Sequence, residues 1–157
     1  MGIRTRHITN QNITKTSSVL LYAVKESERQ HTDAGGPKRM VEAWEYLKDL
    51  DELYLDDVVA LGTILEPQNN GKFRSVPVTF NQESKPALAP ELVERQIILW
   101  FNNVFISEDY NIDEKMKMFL DIHPFLDGNG RVASLLYNYL NKSLDQPLPL
   151  PYYYGNE

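Results

Sequence analysis

Nine consecutive residues, 123–131, combine an imidazole, a carboxylate, two glycines and a guanidinium. Glycines tolerate positive φ and let consecutive backbone N–H groups point into one concavity. The residues that follow are predicted to form a helix, and the N-terminal end of a helix binds phosphate readily. We therefore interpret Gly128 and Gly130 as parts of a backbone cradle for phosphate.

The side chains of the same segment supply the other parts of a transfer reaction. Arg131 can bind phosphate oxygens through two N–H groups at once. Asp127 suits Mg²⁺, which prefers one or two carboxylates together with substrate phosphates. His123 has an unperturbed pKa close to neutrality, which makes it the natural general base. Each residue alone has an ordinary structural explanation, such as a helix end, a turn or a cap, but together they indicate group transfer on a nucleotide.

The order of these residues resembles the signature of the Fic family, HPFx(D/E)GNGR. All eight specified positions are present, since the chain reads His-Pro-Phe-Leu-Asp-Gly-Asn-Gly-Arg. Residues 71–78 resemble the β-hairpin flap that precedes the signature in this family, and residues 90–102 are similar to the helix that follows the flap. The resemblance covers about residues 40–142, most of the chain.

The resemblance implies an enzyme that moves AMP from ATP, with Mg²⁺, to a Ser, Thr or Tyr hydroxyl of a target protein. His123 would deprotonate that hydroxyl, Asp127 would hold Mg²⁺, and Phe125 would anchor the loop in the core. The nucleotide phosphates would lie against Gly128, Asn129, Gly130 and Arg131. The flap would align a target segment by strand addition, through Arg74, Ser75, Val76, Pro77, Val78, Thr79 and Phe80.

One departure from the family concerns Ser134, which stands where the longer signature has a second Arg. The related Doc toxins also lack that Arg and phosphorylate their target, so phosphate or another nucleotide-derived group is an alternative to AMP. Doc proteins depart from Gly-Asn-Gly, which this chain keeps, and AMP transfer is therefore favoured. A non-catalytic Fic fold that binds nucleotide or protein is a further alternative, against which the intact His123 and Asp127 argue.

A second departure concerns regulation. Many Fic proteins carry an inhibitory helix of pattern (S/T)xxxE(G/N), whose Glu pairs with the second Arg. Residues 17–22 resemble a degenerate copy, with Leu21 in place of the Glu and Tyr22 in place of Gly or Asn. Both halves of the ion pair, Leu21 and Ser134, are then missing, which predicts an enzyme that is unrestrained or restrained by other means.

The hydrophobic pattern of the chain predicts an all-α, mainly helical domain with one small β-hairpin, and the resemblance implies that this domain is the Fic fold and the hairpin its flap. Apolar residues at helical spacing predict helices over 37–50, 55–65, 90–104, 113–123 and 130–141, and a short helix that begins after Ser17 and Ser18. Alternation over 72–80 predicts a strand, which Pro77 confines to a sheet edge. Three regions follow: an arm with a short helix over 1–36, the Fic core over 37–145, and a tail rich in Pro and Tyr over 146–157.

The composition of the chain limits the classes of partner that we expect it to bind. The 157 residues fit one domain, and the absence of cysteine excludes disulfides and thiolate chemistry. A net charge of −6 without a basic run argues against nucleic acid as the primary partner. No segment approaches the roughly 20 apolar residues that span a bilayer, so we expect no membrane partner and a cytoplasmic location, with a delivered effector as the alternative. ATP and a target protein are the expected partners, and an antitoxin or a second copy of the chain stays open.

Overall fold

The computed structural model describes residues 10–30, 32–79 and 86–151, with side chains from residue 18 onward. The described chain forms helices α1 (Asn10–Arg29), α2 (Gly36–Lys48), α3 (Leu55–Leu65), α4 (Pro90–Trp100), α5 (Ile112–Ile122) and α6 (Asn129–Leu140). A 3₁₀ turn over Pro67–Asn69 follows α3, and a π turn over Phe101–Phe105 extends α4. None of the described helices is long and apolar enough to cross a membrane.

The five helices predicted over 37–141 are confirmed, with ends within two residues of the prediction when the π turn is counted with α4. The residues at the start of several of these helices explain why each helix begins there. Pro37 and Pro90 stand in the first turns of α2 and α4, where a missing N–H costs nothing. Asn111 caps α5, because its side-chain oxygen accepts a hydrogen bond from the Glu114 N–H at 2.8 Å.

The core of the domain is built around α6, whose Val132, Ala133, Leu135 and Leu136 are fully buried. Helices α2, α3 and α5 pack against α6, and α4 packs against α5. The contact between α4 and α5 includes an aromatic cluster of Trp100, Phe105 and Phe119. The signature segment lies between α5 and α6, so two helices buried in this core fix both of its ends.

The N-terminal helix differs from the prediction. Helix α1 begins at Asn10 and has 20 residues, so the predicted start of the first helix, after Ser17 and Ser18, is wrong, because residues 10–16 are also helical. Val19, Tyr22 and Ala23 are the apolar residues of its buried face, and α1 packs against α2. Packing of this face stabilises the first turns of the helix. Extending the helix from there costs little free energy, because each further residue adds one hydrogen bond. Tertiary contact therefore overrides the weak helix preference of the polar residues before it.

The predicted β-hairpin flap is not formed in the described residues. Residues 72–79 contain no strand, and one antiparallel bridge, Thr79 to Pro86, joins the two legs of the segment. The remainder of the predicted flap, Phe80 and residues 81–85, lies outside the described residues. Arg74 explains the difference, because its side chain is buried and its N–H donates to the Pro124 carbonyl at 2.9 Å instead of to a neighbouring strand. Pro77 has no N–H to give to a ladder.

Candidate active site

His123 terminates α5 in a left-handed conformation, with φ 52° and ψ 62°. The following Pro124 cannot continue a helix, so the chain turns at this point. The His123 ring is 7% exposed, and its Nδ1 lies 3.3 Å from the carbonyl oxygen of Leu120. A carbonyl can only accept a hydrogen bond, so this contact favours the tautomer with the proton on Nδ1. Nε2 then carries the lone pair that a general base needs.

The protonation state of His123 follows from its surroundings. The pKa of His123 is lowered to about 4, chiefly by burial and in smaller part by the positive charge of Arg74, while the hydrogen bond to Leu120 acts in the opposite direction. The imidazole is therefore neutral at pH 7. That is the form in which a histidine accepts a proton.

Phe125 anchors the loop between His123 and α6. Its ring is fully buried and packs against Phe73, with 5.8 Å between ring centroids. Gly62 of α3 also lies against this ring, and an added Cβ there would come within 2.7 Å of it. Only a glycine at position 62 leaves room for the ring in this position.

Two asparagines hold the loop backbone. Asn129 donates from Nδ2 to the Phe125 carbonyl and accepts from the Phe125 N–H, both at 2.9 Å. The amide that the resemblance assigned to the nucleotide is thus bound to the protein itself, where it shapes the loop. Asn69 was not predicted as a site residue. It accepts from the Leu126 N–H at 3.2 Å and donates to the Asp127 carbonyl at 2.9 Å. Asparagine is common in turns, so the sequence around Asn69 did not predict these two hydrogen bonds.

The N-terminal end of α6 has the features of an anion site. Gly128 precedes the helix with φ 87°, a conformation that glycine adopts without strain, and no side chain caps the helix. The N–H groups of the first turn have no intrahelical acceptor and form the positive end of the helix dipole. A Cβ at Gly128 would lie 3.4 Å from the Glu66 side chain and 3.7 Å from the Arg131 guanidinium, so the space beside this glycine is narrow.

Arg131 lies beneath this helix end and is 1% exposed. Its Nη2 donates to Glu66 at 2.6 Å, while Nε and Nη1 have no hydrogen-bond partner among the described residues. Glu66, the residue after α3, is a second site residue that the sequence did not reveal. Buried N–H groups without acceptors are costly, and an anion bound at this end of α6 would supply acceptors.

Asp127 is the carboxylate that faces solvent at the same end of α6. Its side chain is 64% exposed and lies 3.7 Å from the Arg131 guanidinium, and its Oδ1 accepts from the Gly128 N–H at 2.8 Å. The described residues contain no group of three or more His, Cys, Asp or Glu that could enclose a metal ion. One exposed carboxylate next to a phosphate-binding helix end fits Mg²⁺, which takes most of its ligands from water and substrate phosphates.

The flap residues divide into two groups. Arg74 is buried and directed at the loop that carries His123. Ser75, Val76, Pro77 and Thr79 are exposed, and Val78 is half-buried. A cleft of about 650 Å³ lies beside them, between this segment and helices α3 and α4.

The predicted alignment of Leu21 with Ser134 is wrong. Leu21 is 54% exposed, whereas the next residue, Tyr22, places its hydroxyl 2.5 Å from the Ser134 hydroxyl. Ser134 is 0% exposed and is covered by α1. One turn further along α1 lies the buried carboxylate of Glu26, 3.4 Å from the Arg29 guanidinium. Burial raises the pKa of Glu26, and the charge of Arg29 and the proximity of the Ser134 hydroxyl act in the opposite direction. A carboxylate does therefore lie near position 134, but it is Glu26.

The fold and the site define a helical protein with a neutral histidine next to an anion-binding helix end. The model of the Fic/DOC family matches residues 45–140, and the chain belongs to this family. The chain is also 31% identical over 99 residues to the protein adenylyltransferase Fic of Nematostella vectensis. That match covers 56% of the chain and 22% of the relative, so the chain spans less than a quarter of its length. Both matches support a transferase of the Fic type.

Proposed function

We propose that the protein transfers AMP from ATP to a Ser, Thr or Tyr hydroxyl of a target protein. One observation supports this proposal most strongly. A neutral His123 lies at one end of the signature loop, and the N-terminal end of α6, which no side chain caps, lies at the other. The relative named as an adenylyltransferase agrees with AMP as the transferred group.

In the proposed reaction, the target hydroxyl oxygen bonds to the α-phosphorus of ATP while its proton passes to Nε2 of His123. The bond from the α-phosphorus to the bridging oxygen breaks, and pyrophosphate leaves. The N–H groups at the start of α6 and the Arg131 guanidinium stabilise negative charge on the phosphates. Mg²⁺, when bound, neutralises phosphate charge and orients the phosphates, and Asp127 is the residue that would hold it.

The target protein is proposed to bind along the flap. Ser75, Val76, Pro77 and Thr79 are exposed, and Arg74 links this segment directly to the backbone of His123. An extended target segment that pairs with the main chain here would be held next to the proposed base. Rotation about single bonds of the target side chain then brings its hydroxyl to the phosphate.

Transfer of phosphate is the second candidate, and the surroundings of Ser134 favour it. Ser134 is buried and hydrogen-bonded to Tyr22, so no second guanidinium reaches the nucleotide from this turn of α6. Without that contact the nucleotide has fewer constraints that would place its α-phosphate, rather than its γ-phosphate, at His123. AMP transfer leaves the α-phosphorus of ATP on the target protein, whereas phosphate transfer leaves the γ-phosphorus there.

The test uses the purified chain with a cell extract as the source of target and with ATP labelled at either the α- or the γ-phosphorus. Protein label from α alone supports AMP transfer, and label from γ alone supports phosphate transfer. No label from either, with ATP binding retained, supports a non-catalytic module. His123→Ala should lower transfer by about 10²–10⁴, the usual effect of losing a general base. His7→Ala, which removes a histidine outside the signature, is the matched control.

A further inference from the structure

Arg74 makes a set of contacts that its position in an exposed segment did not suggest. Its side chain is 4% exposed, and its guanidinium donates to four backbone carbonyls. Nε donates to His123 at 2.6 Å, Nη2 to Leu88 at 2.5 Å and to Ile122 at 3.3 Å, and Nη1 to Val76 at 3.1 Å. These bonds join the flap, the segment before α4 and the end of α5.

Three of the contacts made by Arg74 lie at successive residues around the proposed base. The guanidinium binds the carbonyls of Ile122 and His123, and the backbone N–H of Arg74 binds the carbonyl of Pro124 at 2.9 Å. The last carbonyls of a helix have no intrahelical donor and form its negative end, where a cation is favoured. Arg74 is therefore both a cap and a counter-charge for the end of α5.

The backbone of His123 needs such support. Its φ of 52° is uncommon for a residue with a side chain, and such a conformation persists when the surrounding structure fixes it. The direction of the Cα–Cβ bond, and with it the position of the imidazole, depends on this conformation. The guanidinium bond to the His123 carbonyl and the N–H bond to the Pro124 carbonyl fix the peptide groups on the C-terminal side of that Cα.

We propose that Arg74 is a positioning residue that holds the His123 imidazole in place for proton transfer by fixing the backbone of residues 122–124. The proposal rests on the function proposed above, in which His123 is the base. Arg74 does not touch the substrate in this role, because its guanidinium is occupied by the four carbonyls. Its contribution is geometric, and small displacements of a reacting group lower rates strongly.

A merely structural role makes different predictions, and two substitutions separate the roles. Arg74→Met keeps much of the side-chain volume and loses both the charge and the hydrogen bonds. Arg74→Lys keeps the charge, but one ammonium group cannot reproduce the planar fork that reaches the carbonyls of Ile122, His123 and Leu88 together. Arg29→Met is the matched control, because Arg29 also donates to a backbone carbonyl, that of Leu150 at 2.9 Å, away from His123.

The main readout is the NMR titration of the His123 ring, which is assigned by comparison with His123→Ala and requires no activity. We expect Arg74→Met to shift the ring resonances and to raise the pKa of His123 from about 4 towards its ordinary value, because it removes a charge and loosens burial. Arg74→Lys should shift the ring resonances with a smaller change in pKa. Arg29→Met should lower the melting temperature and leave the ring signals unchanged.

Label transfer supplies the second readout. We expect Arg74→Met to lower kcat about tenfold or more while KM for ATP stays within about twofold, since Arg74 lies outside the phosphate cradle. The kcat of Arg74→Lys should lie between those of wild type and Arg74→Met.

Lower melting temperatures with unchanged ring resonances and unchanged kcat in the Arg74 variants would overturn the proposal. If Arg74→Met does not fold, Arg74→Lys with wild-type ring signals and wild-type kcat overturns it alone. If the wild-type protein transfers no label, the proposed function fails, and the titration still decides whether Arg74 fixes His123.

Discussion

Protonation of His123 should destabilise the fold, and the size of the effect follows from its pKa. Burial holds the pKa of His123 at about 4, whereas the unfolded chain has the ordinary value of 6.5. Between these two pH values the unfolded state binds more protons than the folded state, so stability falls as pH falls. Each unit of pKa shift corresponds to about 1.4 kcal/mol, which gives a loss of about 3 kcal/mol between pH 7 and pH 4. The free energy of unfolding of a typical domain is roughly 5–15 kcal/mol, so this loss is a large fraction of it.

The measurement is the free energy of unfolding in urea at several pH values between 4 and 7, for wild type and for His123→Gln. The other acidic groups, including Glu26 with its raised pKa, are present in both proteins, so the difference between the two curves isolates His123. We expect wild type to lose about 3 kcal/mol more than the variant on acidification. Parallel curves would show that His123 titrates equally in the folded and unfolded states, which would refute the neutral buried imidazole.

Three further predictions concern the loop and its neighbours. Asp127→Ala should weaken ATP binding about tenfold in calorimetry with Mg²⁺ and less without it, because this carboxylate is the proposed metal ligand; equal losses would count against a metal role. Gly62→Ala should lower the free energy of unfolding by about 1–3 kcal/mol, since its Cβ would lie 2.7 Å from the Phe125 ring; unchanged stability would mean that the ring moves without cost. Ser134→Arg should destabilise the fold by about 1–3 kcal/mol and leave ATP affinity no higher, because position 134 is buried against Tyr22; tighter ATP binding would show that this position faces the phosphates.

The sequence by itself determined the parts of this protein that depend on neighbouring residues. Helical spacing of apolar residues gave α2 to α6, because a helix repeats its buried face every three to four residues. The signature gave the residue types of the site, and Pro124 gave the end of α5, since backbone restrictions act within one or two residues. The choice of His123 as the proposed base rested on its position in the signature and on its intrinsic pKa.

The extent of α1 and the conformation of the flap were decided by distant contacts. Tyr22 meets Ser134 from 112 residues away, and this contact lies on the buried face of α1. A local pattern that spans 17–22 contains no information about that partner, so it aligned Leu21 incorrectly. The flap alternates like a strand, but Arg74 bonds His123, 49 residues away, and draws the segment out of ladder geometry.

The tertiary structure alone also decided which polar groups brace the site. Glu66 bonds Arg131 from 65 residues away, and Asn69 bonds the Leu126 N–H from 57 residues away. A buried donor or acceptor must find a partner, but any suitable group that packing brings near can be that partner. The chemistry of a side chain is therefore readable from the sequence, whereas the identity of its buried partner becomes fixed when the helices pack.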